Sequence, residues 1–210
     1  MEKTYTVVAA AGSGRRLGSE IPKQYLPLDR KPLLVHSLAA LNCHQQIDGI
    51  VLVVGPGWEE DAHELTHRYG ITKLTAVVTG GLERQESVYK GLLAIPPEGT
   101  IVLIHDAARP FLTANLISHM IAAARGTGAA VPALPLKDTI KVVGPGALVQ
   151  ETLDRNRLVA VQTPQSFKRE IIIRAHEKAA AEGFVGTDDA MLVERMGLPV
   201  ELVQIGRAHV

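Results

Sequence analysis

Apolar positions in this chain follow two rhythms. Near-continuous apolar runs occupy residues 5–11, 49–54, 74–78, 100–105 and 129–133. Such a run has no polar face to offer water, so it predicts a strand covered on both sides, as in a parallel sheet. Between the runs, apolar residues fall at helical spacing. Pro32 opens one such segment, in which Leu34, Leu38 and Leu41 share a face. Residues 58–69, 84–95 and 114–125 read as further helices, punctuated by Gly55-Pro56-Gly57 and by Pro96-Pro97. Strands and helices alternating in this way predict a parallel sheet with right-handed crossovers.

The rhythm breaks after Pro135. Residues 138–143 and 148–153 are short β-rich runs around Gly144-Pro145-Gly146, which predicts a hairpin. It has no helix partner and reads as an arm over 135–157. The α/β pattern resumes with a strand at 158–161, helices at 168–181 and 189–196, and a last strand at 199–203. The expectation is one α/β domain over 1–204. It is Rossmann-like, with a mostly parallel sheet flanked by helices on both faces and a protruding β-hairpin arm.

Composition narrows the function. A length of 210 residues suits one domain. Lys+Arg and Asp+Glu both number 22, so the formal charge is zero. That argues against bulk electrostatic binding to nucleic acid or an anionic membrane. Aromatic residues make up 4%, too few for base-stacking platforms. The single cysteine, Cys43, excludes an internal disulfide framework and any multi-cysteine zinc site. No apolar run approaches the roughly 18 residues that span a bilayer. Met1-Glu2-Lys3-Thr4 lacks the pattern of a signal peptide. The expected setting is cytoplasmic, with no nucleic acid and no membrane.

The chemistry lies in local motifs. Ala9-Ala10-Ala11-Gly12-Ser13-Gly14-Arg15-Arg16-Leu17-Gly18 follows the first strand, where backbone N–H groups of a glycine-rich loop can meet phosphates. A dinucleotide fingerprint fails because Leu17 replaces the third glycine, and no Walker loop is present. Arg16 and Lys23, the latter in Pro22-Lys23-Gln24-Tyr25, place two cations beside the loop and suit a triphosphate; a solvated surface loop is the plainer alternative. His105-Asp106-Ala107-Ala108-Arg109-Pro110 ends the fourth strand, where open α/β sheets bind ligands. Asp106 there can hold a magnesium ion or its water shell, and Arg109 an anionic group. Alternatively, Asp106 and Arg109 pair with each other in a turn. Gly80-Gly81 permits close approach to a flat base, with Ser87 in the first turn of the next helix, or marks a plain helix start. Thr139, Arg155 and Thr163 lie in and after the arm and suit a phosphate, or simply solvate a hairpin. Thr187-Asp188-Asp189 reads as a helix cap or as a second acidic contribution to a metal site. His63 and His67 lack the glutamate of a zinc-binding helix motif, no Ser/His/Asp set is present, and Cys43 has no basic neighbour.

Taken together, these segments resemble the 2-C-methyl-D-erythritol 4-phosphate cytidylyltransferase family of the non-mevalonate isoprenoid pathway. Ala-Ala-Ala-Gly-x-Gly-x-Arg, Pro-Lys-Gln-Tyr, Gly-Gly-x-x-Arg-x-x-Ser-Val, His-Asp-Ala-Ala-Arg-Pro, Asp-Thr-Ile-Lys, Asp-Arg-Asn and Thr-Pro-Gln occur in the family's order from Val7 to about Val203. The resemblance implies transfer of CMP from CTP to methylerythritol phosphate with release of pyrophosphate. It implies that Ala10, Ala11, Gly12 and Gly14 line the CTP site and that Arg16 and Lys23 stabilise charge at the α-phosphate. It also implies that Gly81 and Ser87 contact cytosine and ribose. Asp106 and Arg109 would serve the Mg²⁺–phosphate region and the sugar phosphate. Thr139, Arg155 and Thr163 would bind methylerythritol phosphate, with the arm positions supplied by the other subunit of a homodimer. Ribitol-5-phosphate cytidylyltransferase is the near alternative, and a catalytically impaired nucleotide-binding subunit a more distant one. The family continues past its last strand with an Asn-x-Lys segment that is not found here. The corresponding expectation is divergence near Gln204, with 205–210 a non-native tail.

Overall fold

The computed structural model describes residues 2–12 and 21–206. The first half of the chain runs β1 (Lys3–Ala10), β2 (Pro27–Leu28), β3 (Lys31–Pro32), α1 (Leu33–Cys43), β4 (Gly49–Val54), α2 (Glu59–Arg68), β5 (Leu74–Thr79) and α3 (Arg84–Leu93). It continues through β6 (Gly99–Asp106), α4 (Ala114–Thr127), β7 (Ala129–Pro135), β8 (Lys141–Val143), β9 (Val149–Thr152) and β10 (Val159–Val161). The last elements are β11 (Gln165–Lys168), α5 (Arg169–Ala181), α6 (Asp189–Glu194) and β12 (Glu201–Gln204).

The main sheet has eight strands, in the order β10-β7-β11-β6-β1-β4-β5, with β12 beside β7. β1 pairs in parallel with β4 and β6, β4 with β5, and β7 with β12. Only β10 and β11 run antiparallel to their neighbours. Side chains alternate across the sheet, so adjacent residues of one strand serve opposite cores. Val8, Leu52 and Leu103 face Leu34, Leu38 and Leu41 of α1 and Ile117, Met120 and Ile121 of α4. Val7, Val53 and Val102 face Val88 and Leu92 of α3, Ile172 of α5 and Leu192 of α6. Helices therefore cover both faces, as expected. A β-carbon on Gly91 would sit 2.6 Å from Val7 Cγ1 and 2.7 Å from Val53 Cγ2, so its absence lets α3 lie close on the sheet.

The structure departs from the sequence reading in several places, among them the antiparallel pairing of β2 with β3, which was not expected. β11, a four-residue antiparallel strand between β6 and β7, was not expected. It reads Gln-Ser-Phe-Lys and hides polar groups that its surroundings satisfy: Ser166 Oγ donates to Met120 O at 2.6 Å, and Gln165 Nε2 to Asp188 at 2.7 Å. Buried polarity of that kind leaves no hydrophobic signal. The arm pairs β8 with β9 as a hairpin, but over shorter strands than predicted; Val143, Leu148 and Val149 on it are 70%, 71% and 62% exposed. Finally, the ladder beyond β12 continues past residue 204. Ile205 N donates to Ala133 O at 3.1 Å, and its side chain packs on the core. Among the described residues, no helix is long and apolar enough to cross a membrane.

Candidate active site

The strand order reverses beside β1: the chain runs outward through β4 and β5, then returns to β6 on the other side. Crevices at such a reversal, beyond the carboxyl ends of the strands, are where open α/β sheets bind ligands. Most of the candidate residues converge there. Ala10 is buried at the end of β1, with Ala11 and Gly12 following it. Gln24 is buried and donates from Nε2 to Ala10 O at 2.5 Å and Gly12 O at 3.0 Å, pinning the start of the glycine loop. Lys23 shares the one-turn helix Lys23–Tyr25 and is exposed. Tyr25 stacks on Trp58 at 4.3 Å; burial, then the charges of Asp61 and Glu59, push its phenol up to about 12. Gly14 and Arg16 lie outside the described residues.

The Gly80-Gly81 turn meets this loop. A β-carbon at Gly80 would lie 2.5 Å from Ala11 Cβ and 2.8 Å from Ser87 Oγ, so only glycine allows the approach. Buried Ser87 accepts the Gly81 N–H at 2.9 Å and donates to Glu83 O at 3.0 Å. Glu86 accepts the Leu82 N–H at 3.0 Å, and Lys90 reaches Gly80 O at 3.2 Å. The turn is thus held in shape by its own following helix.

Asp106 ends β6 with its side chain 31% exposed. Arg84 Nε approaches Oδ1 at 3.1 Å, and Arg109 Nε approaches Oδ2 at 3.3 Å. The Asp106–Arg109 pairing weighed from sequence is present, with a second guanidinium added. Arg109 also reaches the Gln162 amide oxygen. Thr163 joins the group: its Oγ accepts the Asp106 N–H at 3.2 Å and contacts His105 Nδ1 at 3.1 Å. His105 Nε2 lies 3.1 Å from Arg109 O, which can only accept, so Nε2 carries the proton and Nδ1 accepts from Thr163. Burial pushes the imidazole down to about 4, against an opposing pull from Asp106, and this keeps it neutral for that role.

Arg84, His176 and Gln24 were given no site role by the sequence reading, and Asp189 was weighed only within Thr187-Asp188-Asp189. Arg84 is the first residue of α3, where a cation opposes the helix dipole. That misfit was the available sign that carboxylates hold it. Its Nη1 lies 2.7 Å from Asp189 Oδ2, and Asp189 Oδ1 lies 3.2 Å from His176 Nε2. Burial works against the ionised Asp189 carboxyl, but the His176 hydrogen bond and the Arg84 charge outweigh it and hold its pKa below the usual range. Of the two readings of Thr187-Asp188-Asp189, the helix cap is the one observed. Asp188 caps α6 by accepting the Met191 N–H at 2.9 Å, while Asp189 turns inward to Arg84.

Thr139 and Arg155 are exposed at the base of the arm. Arg155 donates to Lys137 O at 2.8 Å, and no hydrogen bond among the described residues joins either side chain to the strand-end group. Nor is there, among the described residues, a group of three or more His, Cys, Asp or Glu side chains able to hold a metal. Asp106 is the carboxylate at the strand ends, and since Arg84 and Arg109 engage both of its oxygens, a magnesium ion there would have to share them with the guanidinium groups.

A sequence model of 2-C-methyl-D-erythritol 4-phosphate cytidylyltransferase matches residues 4–209. The chain is 47% identical over 205 residues to the protein of that name from Pelotomaculum thermopropionicum, covering 97% of this chain and 86% of that one. It is 46% identical over 198 residues to the one from Geobacillus thermodenitrificans, covering 94% and 86%. Among solved structures, 4-diphosphocytidyl-2C-methyl-D-erythritol synthase from Anaerococcus prevotii superposes with a TM-score of 0.88 at 28% identity, covering 100% of this chain and 89% of that one. The Thermus thermophilus cytidylyltransferase gives 0.80 at 31% identity, covering 100% and 92%. By the match of the family model over residues 4–209 and by these identities, this chain belongs to the 2-C-methyl-D-erythritol 4-phosphate cytidylyltransferase family.

Proposed function

We propose that the protein transfers the cytidylyl group of CTP to 2-C-methyl-D-erythritol 4-phosphate, releasing pyrophosphate. The observation that carries this reading is the meeting of the Ala10–Gly12 loop, the Gly80-Gly81 turn and the Asp106–Arg109–Thr163 group at one crevice of the sheet. An acceptor phosphate oxygen bonds to the α-phosphorus as the α–β bridging bond breaks, and the electron pair leaves with pyrophosphate. The acceptor is already an anion at neutral pH, so no general base is needed. The barrier is repulsion between two polyanions, and cationic groups lower it by positioning and charge.

In this reading Lys23, with Arg16, neutralises charge growing on the α-phosphate. Backbone groups at Ala10, Ala11, Gly12 and Gly14 line the triphosphate. Gly81 and Ser87 hold the base and ribose, and Arg109 and Thr163 hold the acceptor. Asp106 would hold Mg²⁺, which when bound neutralises triphosphate charge and orients the leaving pyrophosphate. Among the described residues, Thr139 and Arg155 at the arm's base make no hydrogen bond to the strand-end group. Their placement and the exposed Val143, Leu148 and Val149 support a homodimer in which each arm completes its partner's acceptor site.

Pyrophosphate release measured against Mg²⁺ tests this. Turnover should vanish in EDTA, return with Mg²⁺, and need more Mg²⁺ in Asp106→Asn. Full turnover in EDTA would overturn the metal assignment.

A further inference from the structure

Thr163 stands between β10 and β11, half-buried at the strand ends, and two neighbours fix the polarity of its hydroxyl. Its Oγ accepts the Asp106 N–H at 3.2 Å, an amide that can only donate. On its other side lies His105 Nδ1 at 3.1 Å. His105 is 1% exposed, and its Nε2 lies 3.1 Å from the Arg109 carbonyl, which takes a second hydrogen bond from Ser37 Oγ of α1 at 3.1 Å. The ring proton is thus committed to Nε2, and Nδ1 is a bare lone pair. Burial keeps the ring neutral, so no second ring proton competes for that place. The one proton of Thr163 therefore points at Nδ1. A hydroxyl has one proton and two lone pairs. With the proton turned to His105 and one lone pair on the Asp106 amide, a single lone pair is left for a ligand. An ionised phosphate has no proton to offer it; a ligand hydroxyl has.

We propose that His105 is a positioning residue for acceptor recognition: by drawing in the Thr163 proton, it makes Thr163 present a lone pair that receives a hydroxyl of the acceptor's polyol chain and not its phosphate. This rests on the reading of the crevice as the acceptor site of a cytidylyltransferase. The phosphate is left to Arg109. A phosphate that took the Thr163 proton would strand His105 Nδ1, buried and without a donor. The pair thereby favours a hydroxylated phosphate ester over a bare one.

The test compares two ligands at saturating CTP: 2-C-methyl-D-erythritol 4-phosphate as acceptor, and ethyl phosphate, which carries no hydroxyl chain, as its competitor. Thr163→Val should raise the acceptor KM about tenfold and leave the ethyl phosphate Ki within about twofold of the parent. Thr163→Ser should bring the acceptor KM back to within about threefold. His105→Phe keeps a ring and leaves the Arg109 carbonyl its Ser37 bond, but it frees the Thr163 proton to turn outward. Ethyl phosphate should then bind about threefold more tightly, whereas a merely structural histidine would loosen both ligands together. If Thr163→Val does not fold, His105→Phe carries the test, and an equal or higher Ki in it overturns the proposal. Transfer in the parent with a Ki that rises alongside KM in Thr163→Val overturns the proposal alone. Absence of transfer to methylerythritol phosphate in the parent overturns the functional reading and the proposal with it.

Discussion

Lys23 and Asp189 are both charged, and their surroundings set opposite expectations. Lys23 is exposed and has no ion pair with a described residue, so its charge is available to a ligand. Lys23→Ala should lower kcat by about 10²–10³ with a smaller change in KM, the scale for losing one transition-state donor. Steady-state kinetics at saturating CTP and acceptor checks this, and normal kcat would remove Lys23 from the chemistry. Asp189 spends its charge inside the protein. Its ordinary pKa is 3.8 and the fold lowers it, so its stabilisation is present above that value and lost as pH falls below it. The stability gap between the parent and Asp189→Asn should therefore be larger at neutral pH than near pH 3. Denaturant unfolding at both pH values measures it; a gap that stays constant or widens in acid would contradict the assignment.

At the scale of elements, the site depends on how strand ends are held rather than on the strands themselves. Gln24 ties the exit of β1 to the one-turn helix carrying Lys23 through two hydrogen bonds. Gln24→Met keeps the volume but leaves two carbonyls without that donor, costing about 1–3 kcal/mol of stability and raising the KM for CTP. Gly80→Ala should do comparable damage by a different route, since its β-carbon meets Ala11 Cβ at 2.5 Å and the Val54 carbonyl at 3.3 Å. Thermal unfolding separates the two from a purely kinetic effect. Trp58 is the only tryptophan and stacks on Tyr25, so its fluorescence should respond to CTP in the parent, with the response shifted to higher CTP in both variants. The apolar runs announced β4, β6 and β7 because those strands are buried on both faces and are largely aliphatic; β1 is buried too although it carries Thr4, Tyr5 and Thr6, and β5 was announced by its run although it is only half-buried at the sheet edge. β11 was illegible because Gln165 and Ser166 reverse that rule, being buried and polar together. The pairing of Arg84 with Asp189 was missed for a related reason. They lie 105 residues apart, and nothing local in either segment tells which partner its charge will meet. The motifs located the crevice; the groups that hold it in shape come from distant parts of the chain.

For the whole molecule, the exposed apolar arm and the position of Arg155 at its base carry the proposal of a site shared between subunits. Mixing two inactive variants, Lys23→Ala and Arg155→Ala, tests it. If each site combines Lys23 of one subunit with Arg155 of the other, random exchange regenerates about a quarter of intact sites. Absence of recovery after verified exchange would place each site within one subunit. The account as a whole rests on the reaction itself. Pyrophosphate release from CTP, measured in parallel with 2-C-methyl-D-erythritol 4-phosphate and with ribitol 5-phosphate as acceptors, addresses that claim most directly. The account predicts Mg²⁺-dependent release with methylerythritol phosphate at a kcat/KM well above that for ribitol phosphate. Equal or greater turnover of ribitol phosphate, or no release with either acceptor, would contradict it.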